Sequence, residues 1–223
     1  VGELTNQGVE LSLNLVPVQR PDVTWEVGGN VTVNRNKITR LTATQDPNYL
    51  GVAVGGISGG VGNFIQIHSV DYPANSFFVY EQVYDNEGIP IEGLYVDRNK
   101  DKQITPADRY HFKKPFADVL FGFYTSLRIK AFDISAGGRA SIGNFVYNNG
   151  QSTNTSYNNL YQSTNYLNNI QAAYTQIDFT APQYFSDHFI QDASFLRFDH
   201  ITLGYNFAQN ARFAKNLRLY ASV

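Results

Sequence analysis

Cysteine and methionine are both absent from this chain of 223 residues. Without thiols there is neither a disulfide framework nor a thiolate metal site, and the lack fits an envelope protein. A chain that opens on Val1 and holds no Met is expected to be a piece of a longer one. Charge is scarce as well. Asp, Glu, Lys and Arg make up 16% of the residues and the net charge is −2, so a nucleic acid would find no basic surface. No apolar run approaches about 18 residues, which excludes a helical membrane span. The glycine-rich stretch 51–62 lacks the Gly-Lys-Ser/Thr ending of a phosphate loop. His68, His111, His188 and His200 are scattered, and none has a partner at zinc-motif spacing. Nothing sets a separation for Asp118 and Asp133 as paired carboxylates. An enzyme finds no support in these residues.

Aromatic side chains are plentiful instead, with 15 Tyr and 16 Phe, as suits a surface that meets lipid at a belt and sugar or water elsewhere. Val9, Leu11, Leu13 and Leu15 alternate with Glu10, Ser12 and Asn14, the period-two pattern of a strand. Pro17 and the Arg20-Pro21-Asp22 turn are expected to stop it, because proline cannot donate to a ladder. The return strand sets Val23, Trp25, Val27, Val31 and Val33 against Thr24, Glu26, Asn30, Thr32 and Asn34. Residues 36–115 read as a long irregular excursion with strand-like runs near 62–69 and 77–84. Two further strands are expected at 116–130 and 132–147, meeting near Ala131-Phe132, and a last one at Asn216–Val223. Residues 140–177 carry no charge and are crowded with Asn, Ser, Thr, Gln and Tyr. The turns near 17–22, 131–132 and 208–215 are short and the loops 36–115 and 140–177 long, the asymmetry of an outer-membrane barrel. No repeat of fixed period is present.

The longest patterned stretch is Asp192-Ala-Ser-Phe-Leu-Arg-Phe-Asp-His-Ile-Thr-Leu-Gly-Tyr-Asn-Phe207. Read in steps of two, it puts Ala193, Phe195, Arg197, Asp199, Ile201, Leu203, Tyr205 and Phe207 on one face. An ordinary globular strand has about 5–6 residues, whereas a tilted membrane-crossing strand needs roughly 9–11. The stretch resembles the D-A-S-F-L-R-(L/F)-x-x-I-T-L-G-Y-x-F segment of SusC/RagA-like TonB-dependent outer-membrane transporters. Gly8-Val-Glu-Leu-Ser-Leu13, Trp25 to Ile38, Tyr72 to Tyr80 and Gly88 to Asp108 resemble further segments of that family. The resemblance implies an all-β fold, an antiparallel transmembrane β-barrel segment with long extracellular loops. Residues 1–223 would be a C-terminal part of a barrel of about 22 strands, with the plug domain and the last strands absent. It further implies an outer-membrane location and TonB-dependent import of a glycan oligomer or peptide. TonB would act through the absent N-terminal part, and a SusD-like surface lipoprotein would sit on the barrel as a lid. Two other readings stay open: a soluble all-β carbohydrate-binding module and a purely structural outer-membrane barrel. They differ in what the apolar strand faces touch, lipid or a packed core.

Two loop regions carry candidate binding chemistry. Asp97 to Asp108 has EF-hand-like spacing, in which alternate positions wrap six to eight oxygens around Ca2+. Asp97, Asn99 and Asp101 would give side-chain oxygens, Gln103 its carbonyl, Thr105 a hydroxyl or water, and Asp108 the closing carboxylate. Lys102 stands where such loops place glycine, and Arg98, Lys100 and Lys102 offset the acidic charge, so binding would be weak. A metal-free turn held by Asp side chains is the alternative. The uncharged region offers Tyr147, Tyr157, Tyr161 and Tyr166 among amides, a set suited to stacking on and bonding to a hydroxyl-rich ligand. A passive polar surface loop has the same composition.

Overall fold

A computed structural model describes residues 2–44, 46, 48–161, 166–207 and 217–223. The expected 208–215 connection, and residue 216 where the last strand was to begin, lie outside them. In chain order the strands are β1 (Glu3–Arg20), β2 (Val23–Arg40), β3 (Val52–Gly56), β4 (Phe64–His68), β5 (Ser76–Val79), β6 (Gln82–Tyr84) and β7 (Pro90–Tyr95). They continue as β8 (Tyr110–His111), β9 (Val119–Ile129), β10 (Phe132–Ile142), β11 (Phe145–Tyr147), β12 (Ile190–Asp192), β13 (Phe195–Phe207) and β14 (Leu217–Ser222). Two short helices, α1 (Asn149–Asn154) and α2 (Tyr174–Ile177), interrupt them.

One compact unit comprises Gln7–Arg35, Ala117–Gly143 and Ser194–Val223. Its strands form a sheet in the order β1-β2-β9-β10-β13-β14. The described registers are all antiparallel. Residues directly opposite share a face, so the register sorts the side chains. Val31 faces Phe121 and Phe121 faces Ala140, an apolar row; one step along, Asn30 faces Gly122 and Gly122 faces Arg139, a polar one. On the apolar side Val9 is 71%, Leu11 63% and Leu13 57% exposed. A soluble module would have to pack these residues into a core, and here they stay exposed among the described residues. Trp25, Phe132, Tyr205 and Phe207 gather on this side near the short-turn end; Phe132 and Tyr205 lie 4.7 Å apart and Tyr205 and Phe207 4.8 Å apart.

β13 departs from the strict alternation expected of it. Gly137 pairs with His200 but Gly138 pairs with Phe198, leaving Asp199 as the extra residue of a β-bulge. Leu196 and Phe198 therefore join Ile201, Leu203 and Tyr205 on the apolar side, while Arg197 turns to the polar side with Thr202 and Gly204. Placing Arg197 and Asp199 on one face with Ile201 was thus an error of phase, and one inserted residue is its cause.

Three other expectations change. β1 continues through Pro17 to Arg20, so the proline does not end it. The expected strand 132–147 divides at Gly143, whose φ is +81°, into β10 and β11, which belong to different sheets. The stretch 192–207 divides likewise, between β12 and β13.

The second unit comprises residues 1–6, Asn36–Phe116 and Asn144–Ala193. It is folded, where the sequence reading expected irregular loops. A four-stranded sheet, β3-β4-β5-β8, and two-stranded sheets β6-β7 and β11-β12 organise it. Ile57, Ile65, Phe77, Val79 and Ile190 form one core cluster and Ile177, Phe179 and Phe189 another. The uncharged region is part of this core: Ser152, Thr155 and Ser156 are each 1% exposed.

Deleting Asp199 should remove the bulge and keep this pairing, with Arg197 still on the polar side. Deleting Phe198 as well should shift Arg197 into the apolar phase, where at a bilayer midplane it costs about 2–4 kcal/mol. The full-length protein is expected to keep its heat-modifiable folded band with the single deletion and to lose it with the double one. Normal assembly of the double deletion would refute the register.

Candidate functional site

The polar face of the meander is built on glycines set beside large side chains. Tyr124 and Asn14 fill the space beside Gly28, Asn30 that beside Gly122, and His200 that beside Gly137. Any Cβ at these positions would collide with them, so glycine lets bulky polar groups lie flat on the sheet. Arg197 Nη2 lies 2.9 Å and Arg139 Nε 3.6 Å from Asp199 Oδ1. Ser12, Asn14, Asn30, Tyr124, Asp199 and His200 line a hollow of about 450 Å³. Asp133 accepts from Arg218 Nε at 3.2 Å and Asn206 Nδ2 at 3.0 Å, while Asp118 lies beside Gly143. These two aspartates do not act as a pair. The sequence pattern marked this face as polar, but the ion pairs depend on cross-strand register.

The 97–108 loop has the expected shape. Lys102 takes φ +67° and Lys100 φ +62°, and the turn in which Lys102 replaces glycine is made by a left-handed lysine at a strain of about 1–2 kcal/mol. Asp97 accepts from Lys100 N at 2.6 Å and Lys102 N at 2.7 Å. Asn99 Oδ1 accepts from Asp101 N, and Asp101 Oδ1 from Gln103 N. Asp108, fully buried, takes the N–H groups of Arg98 at 3.0 Å, Asn99 at 3.3 Å and Thr105 at 2.8 Å. It also completes a capping box with Thr105 at the start of a 3-10 turn. Asp97, Asn99 and Asp101 keep oxygen lone pairs that fit a hard cation; Asp108 fits better as the clasp of the loop. Arg98 turns away to Glu81 and lies 4.3 Å over the Tyr110 ring. Among the described residues, no group of three or more His, Cys, Asp or Glu stands together as a metal cluster.

The four tyrosines separate. Tyr147 is partly buried in β11, donates to Tyr184 O at 2.9 Å and packs against both core clusters. Tyr157 and Tyr161 meet at 5.3 Å, with Tyr174 6.4 Å from Tyr157, and Tyr166 is 79% exposed. Tyr174, at the start of α2, thus joins Tyr157 although remote from it in sequence.

Two partly buried acids also escaped the sequence reading. Asp187 accepts from Gln82 N at 3.0 Å and Tyr110 Oη at 2.8 Å, and burial pushes its carboxyl above the usual range. Glu92 accepts from Thr180 N and Ala181 N at 3.0 and 2.8 Å. Gly56-Ile-Ser-Gly-Gly60 has the spacing of a nucleophile elbow, yet Ser58 donates to Asn149 Oδ1 at 2.8 Å and not to a histidine.

Thr105 N–H, followed by those of Asn99 and Arg98, holds the Asp108 carboxyl below the usual carboxylate range against the opposing effect of burial. A lowered folded-state pKa contributes stability above the ordinary value of about 4, lost as pH falls through the lowered one. Asp108→Asn should cost about 1–3 kcal/mol locally at neutral pH. In the full-length protein, hydrogen exchange at Arg98, Asn99 and Thr105 should quicken in the variant, and in the parent at acid pH after correction for intrinsic rates. Unchanged exchange in the variant would show that Asp108 is not the clasp.

No protein-family model matches the chain. It is 43% identical to TonB-dependent receptor SusC of Bacteroides thetaiotaomicron over 93% of its length, covering 21% of that protein. It is 27% identical to TonB-dependent receptor P3 of Formosa agariphila over its whole length, covering 24% of that protein. Among solved structures it superposes on the RagAB peptide transporter with a TM-score of 0.68 at 22% identity, covering 26% of that chain. The RagAB importer in its closed-closed state gives 0.69 at 20%. The chain thus spans about a fifth to a quarter of its curated relatives, which are receptors and not enzymes. The two-faced antiparallel meander, its bulge and its short turns are the wall of an outer-membrane β-barrel, and the chain belongs to the SusC/RagA-like TonB-dependent receptors as a segment of one.

Proposed function

We propose that the receptor containing this segment imports a nutrient, a glycan oligomer or a peptide, across the outer membrane with energy delivered through TonB. The carrying observation is the division of one sheet into an exposed apolar face and a polar face bearing Asn14, Asn30, Tyr124, Arg139, Arg197 and His200. The first meets lipid; the second faces a watery lumen in which a polar solute finds hydrogen-bonding groups. A SusD-like lipoprotein closes the extracellular side, and the exposed Tyr157, Tyr161 and Tyr166 suit a polar, aromatic contact with it. Deleting residues 150–170 would remove α1 and buried Ser152, so point variants are the better probe.

Single cysteines at Leu11, Leu13, Val31 and Leu203 of the full-length receptor in cells should react with a lipid-soluble maleimide. Cysteines at Ser12, Asn14, Asn30 and Thr202 should react with a water-soluble one. Equal reaction of both sets with the water-soluble reagent would defeat the membrane reading. Tyr157→Ala with Tyr161→Ala should weaken lipoprotein co-purification while leaving assembly intact; unchanged co-purification would make that patch passive surface.

For the 97–108 loop we propose weak Ca2+ binding, near the extracellular range of about 10⁻⁴–10⁻³ M. Its support is the left-handed Lys102 together with inward oxygens of Asp97, Asn99 and Asp101; Gln103, Thr105 and Asp108 complete the proposed set. Calorimetric titration of the receptor should show Asp97→Ala or Asp101→Ala weakening binding far more than Thr105→Ala, and Lys102→Gly tightening it. No calcium heat in either the parent or Lys102→Gly would leave the metal-free turn.

A further inference from the structure

Glycines in the strands of the meander are covered by neighbouring side chains, with one exception. At Gly8, Gly28, Gly122, Gly137, Gly138 and Gly204 a side-chain atom lies within 3.2 Å of where a Cβ would stand. At Gly29 the nearest side-chain atom is Phe121 Cε2, at 3.7 Å. The contrast is sharpest along one row, where Gly29 and Gly138 both pair with Phe123. The Phe123 ring lies over Gly138, its Cζ 2.6 Å from the Cβ position, and leaves Gly29 bare. Phe198 meets the same ring edge-on at 5.5 Å.

The gap at Gly29 opens into a groove of about 310 Å³ on the apolar side, bordered by Leu11, Leu13, Leu15, Val27, Val31 and Phe121. An apolar hollow gives water no partners, and a glycine inside a strand often marks close approach by another molecule. Hydrocarbon surrounds the outer face of a barrel wall, so removal from water drives nothing there. What the groove offers is contact. A void forfeits dispersion attraction that a run of methylenes lying in it recovers.

Depth names the lipid. Trp25 stands near the short-turn end of β2, and in outer-membrane barrels that end is periplasmic. At about 3.4 Å per residue and a tilt of roughly 35–45°, Val27 lies about 5 Å and Val31 about 15 Å above Trp25. The apolar band is about 25 Å tall, so most of the groove falls in its periplasmic half, the leaflet built of phospholipid rather than lipid A.

We propose that the groove at Gly29 seats one acyl chain of a phospholipid from the periplasmic leaflet. The chain lies along β2, between the Leu11, Leu13 and Leu15 row of β1 and the Phe121 ring of β9, with Gly29 as its floor. The proposal rests on the lipid-facing reading of the apolar side and goes beyond it by giving that side a defined site.

Photocrosslinking of the full-length receptor in bilayers tests it, with phosphatidylethanolamine carrying a diazirine midway along one acyl chain. Peptide mapping should find adducts at Leu13, Val27 and Phe121 about threefold above those at Ile201 and Leu196, a ratio suited to a packing preference. Ile201 shares the row of Val27, and Leu196 that of Val31. Gly29→Leu, which fills the floor, should level the adducts across the face. A Cβ at Gly29 would stand 3.1 Å from Gly122 O, so Val27→Phe, which narrows the groove from its rim, is the second variant. The heat-modifiable folded band identifies variants that assemble, and either one decides the matter. Lipid A carrying the same diazirine should show no preference for the groove. Even labelling of the parent, enrichment that survives filling, or enrichment from lipid A in place of the phospholipid would each overturn the site. Cysteine accessibility reports on the membrane reading separately, so even labelling removes the seat and leaves that reading intact.

Discussion

A strand in a barrel wall has two solvents, and its side chains must stay in phase with both. In hydrocarbon an unpaired backbone group has no water to turn to, so every strand is committed to its neighbours along its length. The pleat then assigns successive residues to lipid and to lumen, and a slip of one residue exchanges the faces. Asp199 is where this chain manages that constraint. Leu196 and Phe198 are in phase with lipid on one side of it, and Ile201, Leu203 and Tyr205 on the other, because the bulge absorbs one residue between them. Were β13 to alternate strictly through Asp199, with no bulge, Arg197 would face the acyl chains.

The same site serves the polar side. The bulge brings Asp199 beside Arg197 and Arg139, so two guanidinium groups share an acid on the face that water reaches. Gly137, opposite His200, leaves room for the imidazole to lie across the sheet. Gly28 and Gly122 do the same for Tyr124 and Asn30. Large polar groups are thereby held against the wall, with glycine flexibility the cost and a defined polar lining the result.

The other unit obeys ordinary globular rules. Its Val79 and Phe189 are fully buried and Phe179 is 1% exposed, whereas among the described residues neither core cluster includes a meander side chain. Long loops need such a core to hold a defined shape, since each ordered residue costs about 1–2 kcal/mol of backbone entropy. Where apolar residues are sparse, short-range bonds replace them. Asp108 gathers three backbone N–H groups, and Glu92 and Asp187 each tie together segments remote in sequence. Burial raises Asp187 while N–H donors lower Asp108, so similar carboxyls differ through the donors they meet.

Period-two alternation in β1 and β2 was legible in the sequence because lipid and water impose it residue by residue. The shape of the 97–108 loop was legible for a similar reason: its bonds join positions two to ten apart. Pro17 misled because a proline stops a strand only where its N–H is needed in the ladder, and the sequence alone does not show which N–H groups the ladder uses. The fold of 36–115 and 140–177 was hidden because its strands are short and its core brings Ile57 to Ile190 and Phe179 to Phe189. Tyr147 looked like a ligand platform until packing placed it between those clusters. The sequence by itself determined which strand faces are apolar, because each pleat reads its own chain. Only the tertiary structure decided where phase is reset, which tyrosines are free and that Leu13, Gly29 and Phe121 border one groove, because those depend on register and contacts between distant segments.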